Sequence, residues 1–214
     1  LHQVTLSIGN PVLNVEAVIS GDAFVSYNTK TVSFSVNSNS PINEINTFET
    51  PEQSLLTLNM SDSNALFERG VPSGTFLNDV SSGTQAYGTN LDGNYPDMTI
   101  AHLTSACYDL TGISDPILRF NMAFELEFDW DIFYVQFSDD IGATWQILGS
   151  SDDPNWYNSS RLAGDGIASD CYNCVGAQWT GTDLTMTEYS YDLAPYSGSQ
   201  NFMVRFVFHS DQSV

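Results

Sequence analysis

Apolar and polar side chains alternate along much of this chain, which predicts β-strands rather than helices. Between residues 118 and 128 every second position is apolar, and shorter runs at 132–137 and 202–208 follow the same pattern. Successive side chains of a strand point to opposite faces, so each run offers one face to a core. No segment shows a convincing 3.6-residue apolar period. The pattern therefore predicts two antiparallel sheets packed as a sandwich.

The first 43 residues are predicted to be a separate short β segment. Strand-like runs occupy residues 4–8, 12–19, 24–27 and 31–36, and a stretch rich in Asn, Ser and Pro follows at 37–41. This segment is short for an independent domain. It is either the tail of a preceding immunoglobulin-like module or a set of strands added to the main sandwich. Residues 44–214 form the main module in both cases.

The composition combines a real core with a very acidic surface. The 214 residues carry 26 Asp and Glu against 5 Lys and Arg, for a formal net charge of -21, while 42% are hydrophobic. That apolar content excludes wholesale disorder. So few cations argue against binding to nucleic acid or to an anionic membrane, and no apolar run is long enough for a membrane helix. Divalent cations are the natural partners of such a surface.

The three cysteines are Cys107, Cys171 and Cys174. The last two form a C-x-x-C in a loop rich in Gly, Asp and Asn, which could be a local disulfide, half of a metal site or a redox pair. A four-cysteine zinc site would need a second pair, and a redox motif should open a helix. A loop disulfide is therefore favoured, with Cys107 expected to stay reduced.

From about residue 46 onward, several motifs occur in an order that resembles a known family. Residues 48–49 read FE, residues 67–75 read FERGVPSGT, and residues 83–95 read GTQAYGTNLDGNY. FDWD follows at residues 128–131 and VQFSDDIGATW at residues 135–145. In order and spacing these motifs resemble the jelly-roll modules of large secreted bacterial proteins, which are related in pattern to MAM domains and to the adhesin domains of gingipain-type proteases.

The resemblance implies an all-β fold, a two-sheet antiparallel jelly-roll sandwich. It also implies a non-catalytic, extracellular or cell-surface module of a secreted peptidase, adhesin or glycan-degrading enzyme. Such modules serve adhesion, docking or substrate positioning, so the expected partners are glycan or protein surfaces and other domains of the same protein. The family usually closes with a G-x-x-I-D-D-x strand. The chain ends at Val214 before such a strand, so we expect the closing strand to be missing.

Calcium is the expected cofactor, in a structural role. Acidic loops supply the hard oxygen ligands that calcium prefers, and in related jelly rolls a cation ties the first strand to a loop and to the last strand. No EF-hand loop is present, so a site would have to be assembled from distant segments. The candidate ligands are Glu49, Asn90, Asp92, Asn94, Asp97, Asp129 and Asp131.

Aromatic residues in or beside polar loops are candidates for glycan binding, because flat rings stack on sugar rings. The first candidates are Trp156, Tyr157 and Trp179, followed by Tyr189, Tyr191 and Tyr196. The alternative is that these rings plug the ends of the sandwich. A carbohydrate-binding module is the second functional hypothesis.

An enzyme is the third hypothesis, and it depends on an acidic row. Glu125, Glu127, Asp129 and Asp131 occupy alternate positions, and alternate residues of a strand lie about 6.6 Å apart on one face. Glycosidase carboxyl groups are about 5–9.5 Å apart, and the row loosely resembles the acidic strand of laminarinase-type glycosidases. A solvated strand, or acids turned towards a cation, is the simpler interpretation. No H-E-x-x-H or G-x-S-x-G motif is present, so we expect no catalysis.

Overall fold

The computed structural model describes residues 9, 12–18, 28–33, 36–53, 55–61, 67–164 and 171–213. Within them the chain is an all-β protein with antiparallel sheets, which confirms the predicted fold class. The strands are β1 (Val12–Glu16), β2 (Thr29–Ser33), β3 (Leu56–Asn59), β4 (Glu68–Gly70), β5 (Ala86–Gly88), β6 (Ile100–Thr104), β7 (Ile117–Glu125), β8 (Ile132–Ser138), β9 (Gln146–Ile147), β10 (Thr182–Asp192) and β11 (Met203–His209). No helix in these residues is long and apolar enough to span a membrane.

The chain divides into two compact units, Leu1–Asn39 and Ser40–Val214. In the first unit, β1 and β2 form an antiparallel pair in which Val12 lies opposite Ser33. The strands predicted at 4–8 and 24–27 lie outside the described residues. The division after Asn39 falls within the polar stretch at 37–41, four residues before the predicted boundary.

The second unit is a sandwich of two main sheets. One sheet has five strands in the order β3-β6-β11-β8-β9, and the other pairs β10 with β7. The short strands β4 and β5 form a separate pair. In the five-stranded sheet, β11 lies between β6 and β8 and is antiparallel to both, with His209 opposite Ile100 and Ile132.

The core lies between the two main sheets and is rich in aromatic rings. Phe120 of β7 contacts Phe206 of β11 edge to face, with ring centroids 4.9 Å apart. The same ring stacks on Tyr189 of β10 at 5.8 Å. These contacts follow from the alternation of β7, which turns Leu118, Phe120 and Phe124 towards the core; Phe124 is buried, and the other two are partly buried. Edge-to-face and offset-stacked rings add to the stabilisation that apolar burial provides.

Three predicted elements differ from the structure. The strand predicted over residues 118–128 ends at Glu125, because the chain turns at residues 128–130. The FE motif at Phe48–Glu49, which is the opening strand in the family pattern, forms no strand here. Phe48 lies in a bend and has a left-handed φ of 63°. The longest strand, β10, covers Tyr189 and Tyr191, which the sequence had suggested as loop residues.

Candidate functional site

Asp131 is a fully buried carboxylate at one edge of the five-stranded sheet. Its exposed fraction is 0%. The hydroxyl of Tyr95 donates a hydrogen bond of 2.5 Å to Oδ2, and the backbone N–H of Asp211 donates one of 2.8 Å to Oδ1. Burial raises the pKa of Asp131, while these two hydrogen bonds act in the opposite direction. A buried acid with both oxygens bonded is a connecting point between segments.

Three segments that are distant in sequence meet at Asp131. The Tyr95 hydroxyl also accepts a hydrogen bond of 3.0 Å from the backbone N–H of Glu127, in the turn before β8. The Ser210 hydroxyl, just after β11, donates one of 2.8 Å to the carbonyl of Pro96. The loop before β6, the turn before β8 and the segment after β11 are therefore joined at the same edge of the sheet. We call this arrangement the Asp131 junction.

The predicted calcium ligands are dispersed, and most are bonded to protein groups. Asp131 lies at the junction, and the carbonyl of Asp97 in the adjoining loop accepts a hydrogen bond from the Thr99 hydroxyl. Asp129 forms an ion pair of 3.1 Å with Arg161. Among the residues that the structure describes, no group of three His, Cys, Asp or Glu side chains is arranged to hold a metal ion.

Glu49 and the loop at residues 90–94 lie in other local networks. The Glu49 carboxylate accepts hydrogen bonds from the backbone N–H groups of Thr84 (2.8 Å) and Gln85 (2.9 Å), and these lower its pKa. The Asn90 side chain donates to the carbonyl of Asn94 and accepts from the backbone N–H of Asp92. Each of these contacts holds a turn or joins two loops.

The three predicted sugar-stacking residues lie in the interior. Trp156, Tyr157 and Trp179 are 3%, 6% and 1% exposed. Their polar atoms are used inside the protein: the Trp156 indole N–H donates to the carbonyl of Leu148, and the Trp179 indole N–H donates to that of Trp156. A ring enclosed in this way offers no face to a sugar. The alternative was that these rings plug the ends of the sandwich; the structure places all three in the main core cluster.

The acidic row does not continue along one strand. β7 ends at Glu125, and a turn follows in which the N–H groups of Trp130 and Asp131 donate to the carbonyl of Glu127. Asp129 has a left-handed φ of 62° within this turn. Glu125 and Glu127 are exposed whereas Asp131 is buried. The carboxyl groups therefore do not share the face of a strand, because the alternation in the sequence continues past the end of the strand.

Cys171 and Cys174 form a disulfide with a Cα–Cα distance of 5.5 Å. Together with Ile132 and neighbouring Tyr134 and Val175 they make a small apolar cluster. Cys107 is a buried free thiol, and burial raises its pKa. The C-x-x-C loop therefore packs on the start of β8.

A cleft of about 460 Å³ lies between the loop after β8 and the loop before β11. We call it the Tyr196 cleft; its lining residues are Asp139, Pro195, Tyr196, Gly198, Ser199, Gln200 and Asn201. Tyr196 was among the loop aromatics that the sequence suggested, but Asp139, Gln200 and Asn201 were not suggested. Their only sequence signal is a turn-rich polar run beside an aromatic residue, which is common in loops.

The chain shows similarity to part of a longer protein. Over 154 residues it is 29% identical to Bacillopeptidase F of Bacillus subtilis (strain 168). The matched region is 72% of this chain but 9% of that protein, so the chain spans less than a tenth of the relative's length. No family model matches the chain. The similarity fits a module within a larger protein.

Proposed function

We propose that this chain is a non-catalytic, extracellular module that attaches or positions a larger secreted protein on a glycan or protein surface. The observation that carries the proposal is the similarity to Bacillopeptidase F, a much longer protein. The match includes 72% of this chain but only 9% of that protein. A match to such a small part of a longer protein is expected for an accessory region that accompanies a catalytic domain.

Two further observations support an accessory role outside the cell. The Cys171–Cys174 disulfide fits an oxidising compartment, where disulfides form and persist. The motifs at residues 67–75 and 83–95 resemble jelly-roll modules of secreted bacterial proteins. Other domains of the same protein are the nearest partners under this proposal.

The proposal also includes a structural calcium ion. The large excess of acidic residues, 26 against 5 basic ones, leaves carboxylates that a cation would stabilise. The ion would bind where loops meet, as the sequence motifs suggest.

The test is to combine turnover and retention measurements on the 214-residue chain. Soluble β-glucan and casein are incubated with the chain, and release of reducing ends and of peptides is followed. Retention on insoluble polysaccharides and on a protein-coated surface is measured in parallel. We expect retention without turnover. Turnover of β-glucan that is lost in Glu127→Gln, and kept in the control Asp152→Asn, would replace the proposal with a glycosidase.

A carbohydrate-binding module in the stricter sense is the second candidate. It is favoured by the Tyr196 cleft, where a partly exposed ring lies beside polar side chains.

A further inference from the structure

The Tyr196 cleft offers a rigid aromatic ring. Tyr196 ends a short 3-10 helix, Ala194–Tyr196, and its ring packs against Phe137 and Phe202 with centroid distances of 4.5 Å and 5.3 Å. Phe202 is 1% exposed and stacks on Phe137. Because two core rings support it, Tyr196 loses little conformational freedom when a ligand binds, which favours affinity.

Polar side chains without protein partners lie around this ring. Within the described part of the chain, the Asp139 carboxylate and the Gln200 amide make no hydrogen bond, and both residues are exposed. Asn201 uses its side-chain oxygen to accept a weak bond of 3.9 Å from the Cys107 thiol. The cleft therefore presents free acceptors and donors, and its volume of about 460 Å³ falls in the range of about 300–1,000 Å³ for ligand sites.

This set of groups suits sugar hydroxyls. A hydroxyl both donates and accepts hydrogen bonds, so it can bond to a carboxylate and to an amide at the same time. An aromatic ring beside such groups can cover the apolar face of a sugar ring. The lining has one charged side chain, Asp139, and no cation, so an anionic sugar would be repelled. The loop between residues 195 and 201 belongs to no strand, so it provides no sheet edge to which an extended peptide could pair.

We infer that the Tyr196 cleft binds a neutral sugar residue of a glycan, with the ring of Tyr196 against the sugar and the side chains of Asp139 and Gln200 bonded to its hydroxyls. This inference rests on the proposed function and names a ligand class and a site for it. The site is separate from Trp156, Tyr157 and Trp179, which are buried.

The test is an amide-shift titration of the ¹⁵N-labelled 214-residue chain by NMR. The probes are methyl glycosides of glucose, galactose and mannose, N-acetylglucosamine, and β-linked tetramers of glucose and N-acetylglucosamine. Glucuronic acid tests whether an anionic sugar binds, and trialanine tests whether a peptide binds. We expect at least one neutral probe to shift the amides of Gly198, Gln200 and Asn201 at millimolar concentration, and neither glucuronic acid nor trialanine to do so.

Variants locate the binding. Asp139→Ala removes hydrogen bonds to a charged group and is expected to weaken binding about tenfold or more. Gln200→Ala should weaken it several-fold, and Tyr196→Phe, which keeps the ring, should retain most of it. The control Asp152→Ala removes another exposed acid and should leave binding unchanged. Amide resonances outside the cleft that match those of wild type show that each variant is folded.

Three results would overturn the inference: no shift with any neutral probe, equal binding by wild type and Asp139→Ala, or shifts at the cleft with trialanine alone. One-dimensional proton spectra of the sugars in the same samples report whether the tetramers are cleaved. If the sugars neither bind nor are cleaved, this inference is wrong but the proposed accessory role is unaffected. Cleavage of a tetramer contradicts the accessory role itself.

Discussion

The hydroxyl of Tyr95 donates a hydrogen bond of 2.5 Å to the buried carboxylate of Asp131, across 36 residues of sequence. The same hydroxyl accepts from the backbone N–H of Glu127, so one phenol satisfies two groups of the turn before β8. The Tyr95 ring also packs edge to face on Phe208, with centroids 5.0 Å apart. Tyr95 thereby links the core to the Asp131 junction.

Replacing Tyr95 by Phe is expected to destabilise the chain by about 1–3 kcal/mol, because a buried acceptor and a backbone donor lose their partner while the ring packing is kept. Urea unfolding of wild type and Tyr95→Phe measures the difference. Tyr172→Phe, at a residue that is 76% exposed, is the matched control and should change little. Equal stability of wild type and Tyr95→Phe would contradict the importance of this hydrogen bond.

His102 is expected to reduce stability in weak acid. It is 6% exposed, and burial, followed by the charges of Arg205 and His209, lowers its pKa from 6.5 to about 4. The unfolded chain therefore binds a proton near pH 6.5 that the folded chain does not bind until about pH 4. Stability contributed by the neutral ring is present above pH 6.5 and is lost between these two values.

The measurement compares wild type with His102→Gln, which cannot be protonated. Each unit of pKa shift corresponds to about 1.4 kcal/mol, so the wild type should lose appreciably more stability than the variant between about pH 7 and pH 4.5. Parallel pH profiles for the two proteins would contradict the prediction. The remaining slope in the variant should include His209, whose pKa burial also lowers.

Asp140 also contributes stability that is lost as the pH falls, but at lower pH than His102. Its carboxylate accepts hydrogen bonds from the backbone N–H and the hydroxyl of Thr144, and also from the hydroxyl of Ser138, which together lower its pKa from 3.8 to about 2. The stability due to the ionised group is present above pH 3.8 and is lost as the pH falls towards 2. Asp140→Asn should therefore melt below wild type at neutral pH, with the gap closing in acid. Asp139→Asn, at the neighbouring exposed residue, is the control and should show no such gap.

Strands that supply the core could be predicted from the sequence. Phe133, Val135 and Phe137 of β8 alternate with more polar residues, and Val135 is fully buried while Phe137 is 6% exposed. β10 was missed because its inward side chains are spaced irregularly. The register between β10 and β7 shifts between Asp183 and Thr187, so the apolar alternation is broken near the middle of the strand.

The sites could be predicted less well, because they depend on partners far along the chain. Asp131 bonds to Tyr95 and Asp211, which are 36 and 80 residues away. Nothing in the spacing of the acidic row distinguishes the buried Asp131 from the exposed Glu127. The same holds for the Tyr196 cleft, where Asp139 and Gln200 come from two loops separated by two strands.

The Cys171–Cys174 disulfide should contribute modestly to stability. Closing a loop of so few residues is worth about 2 kcal/mol by the chain-entropy relation. The Cys171→Ser/Cys174→Ser variant should therefore melt a few degrees lower than wild type. Alkylation of the unfolded, unreduced chain should label Cys107 alone, and all three cysteines should be labelled after reduction. Mass spectrometry that finds a bridge to Cys107 would overturn the assignment.

Calcium is expected to stabilise the folded chain more than magnesium does. Carboxylates repel one another at a net charge of -21, and a cation bound between loops would remove part of that repulsion. A ligand that binds only the folded state at a hundredfold excess over its dissociation constant adds about 2.7 kcal/mol. For a chain of this size that corresponds to a melting shift of about 5–10 °C.

Melting curves with chelator, calcium and magnesium separate a specific site from general screening, because screening does not depend on coordination geometry. Glu49→Gln and Asp92→Asn should each reduce the calcium shift, whereas Asp152→Asn, an exposed acid in another loop, should not. Since Glu49 also bonds to Thr84 and Gln85, its variant must be compared with wild type in chelator as well. If Glu49→Gln lowers the melting temperature equally in calcium and in chelator, the calcium shift is unchanged and the variant has lost only those hydrogen bonds. Equal shifts from calcium and magnesium would leave screening as the sole effect.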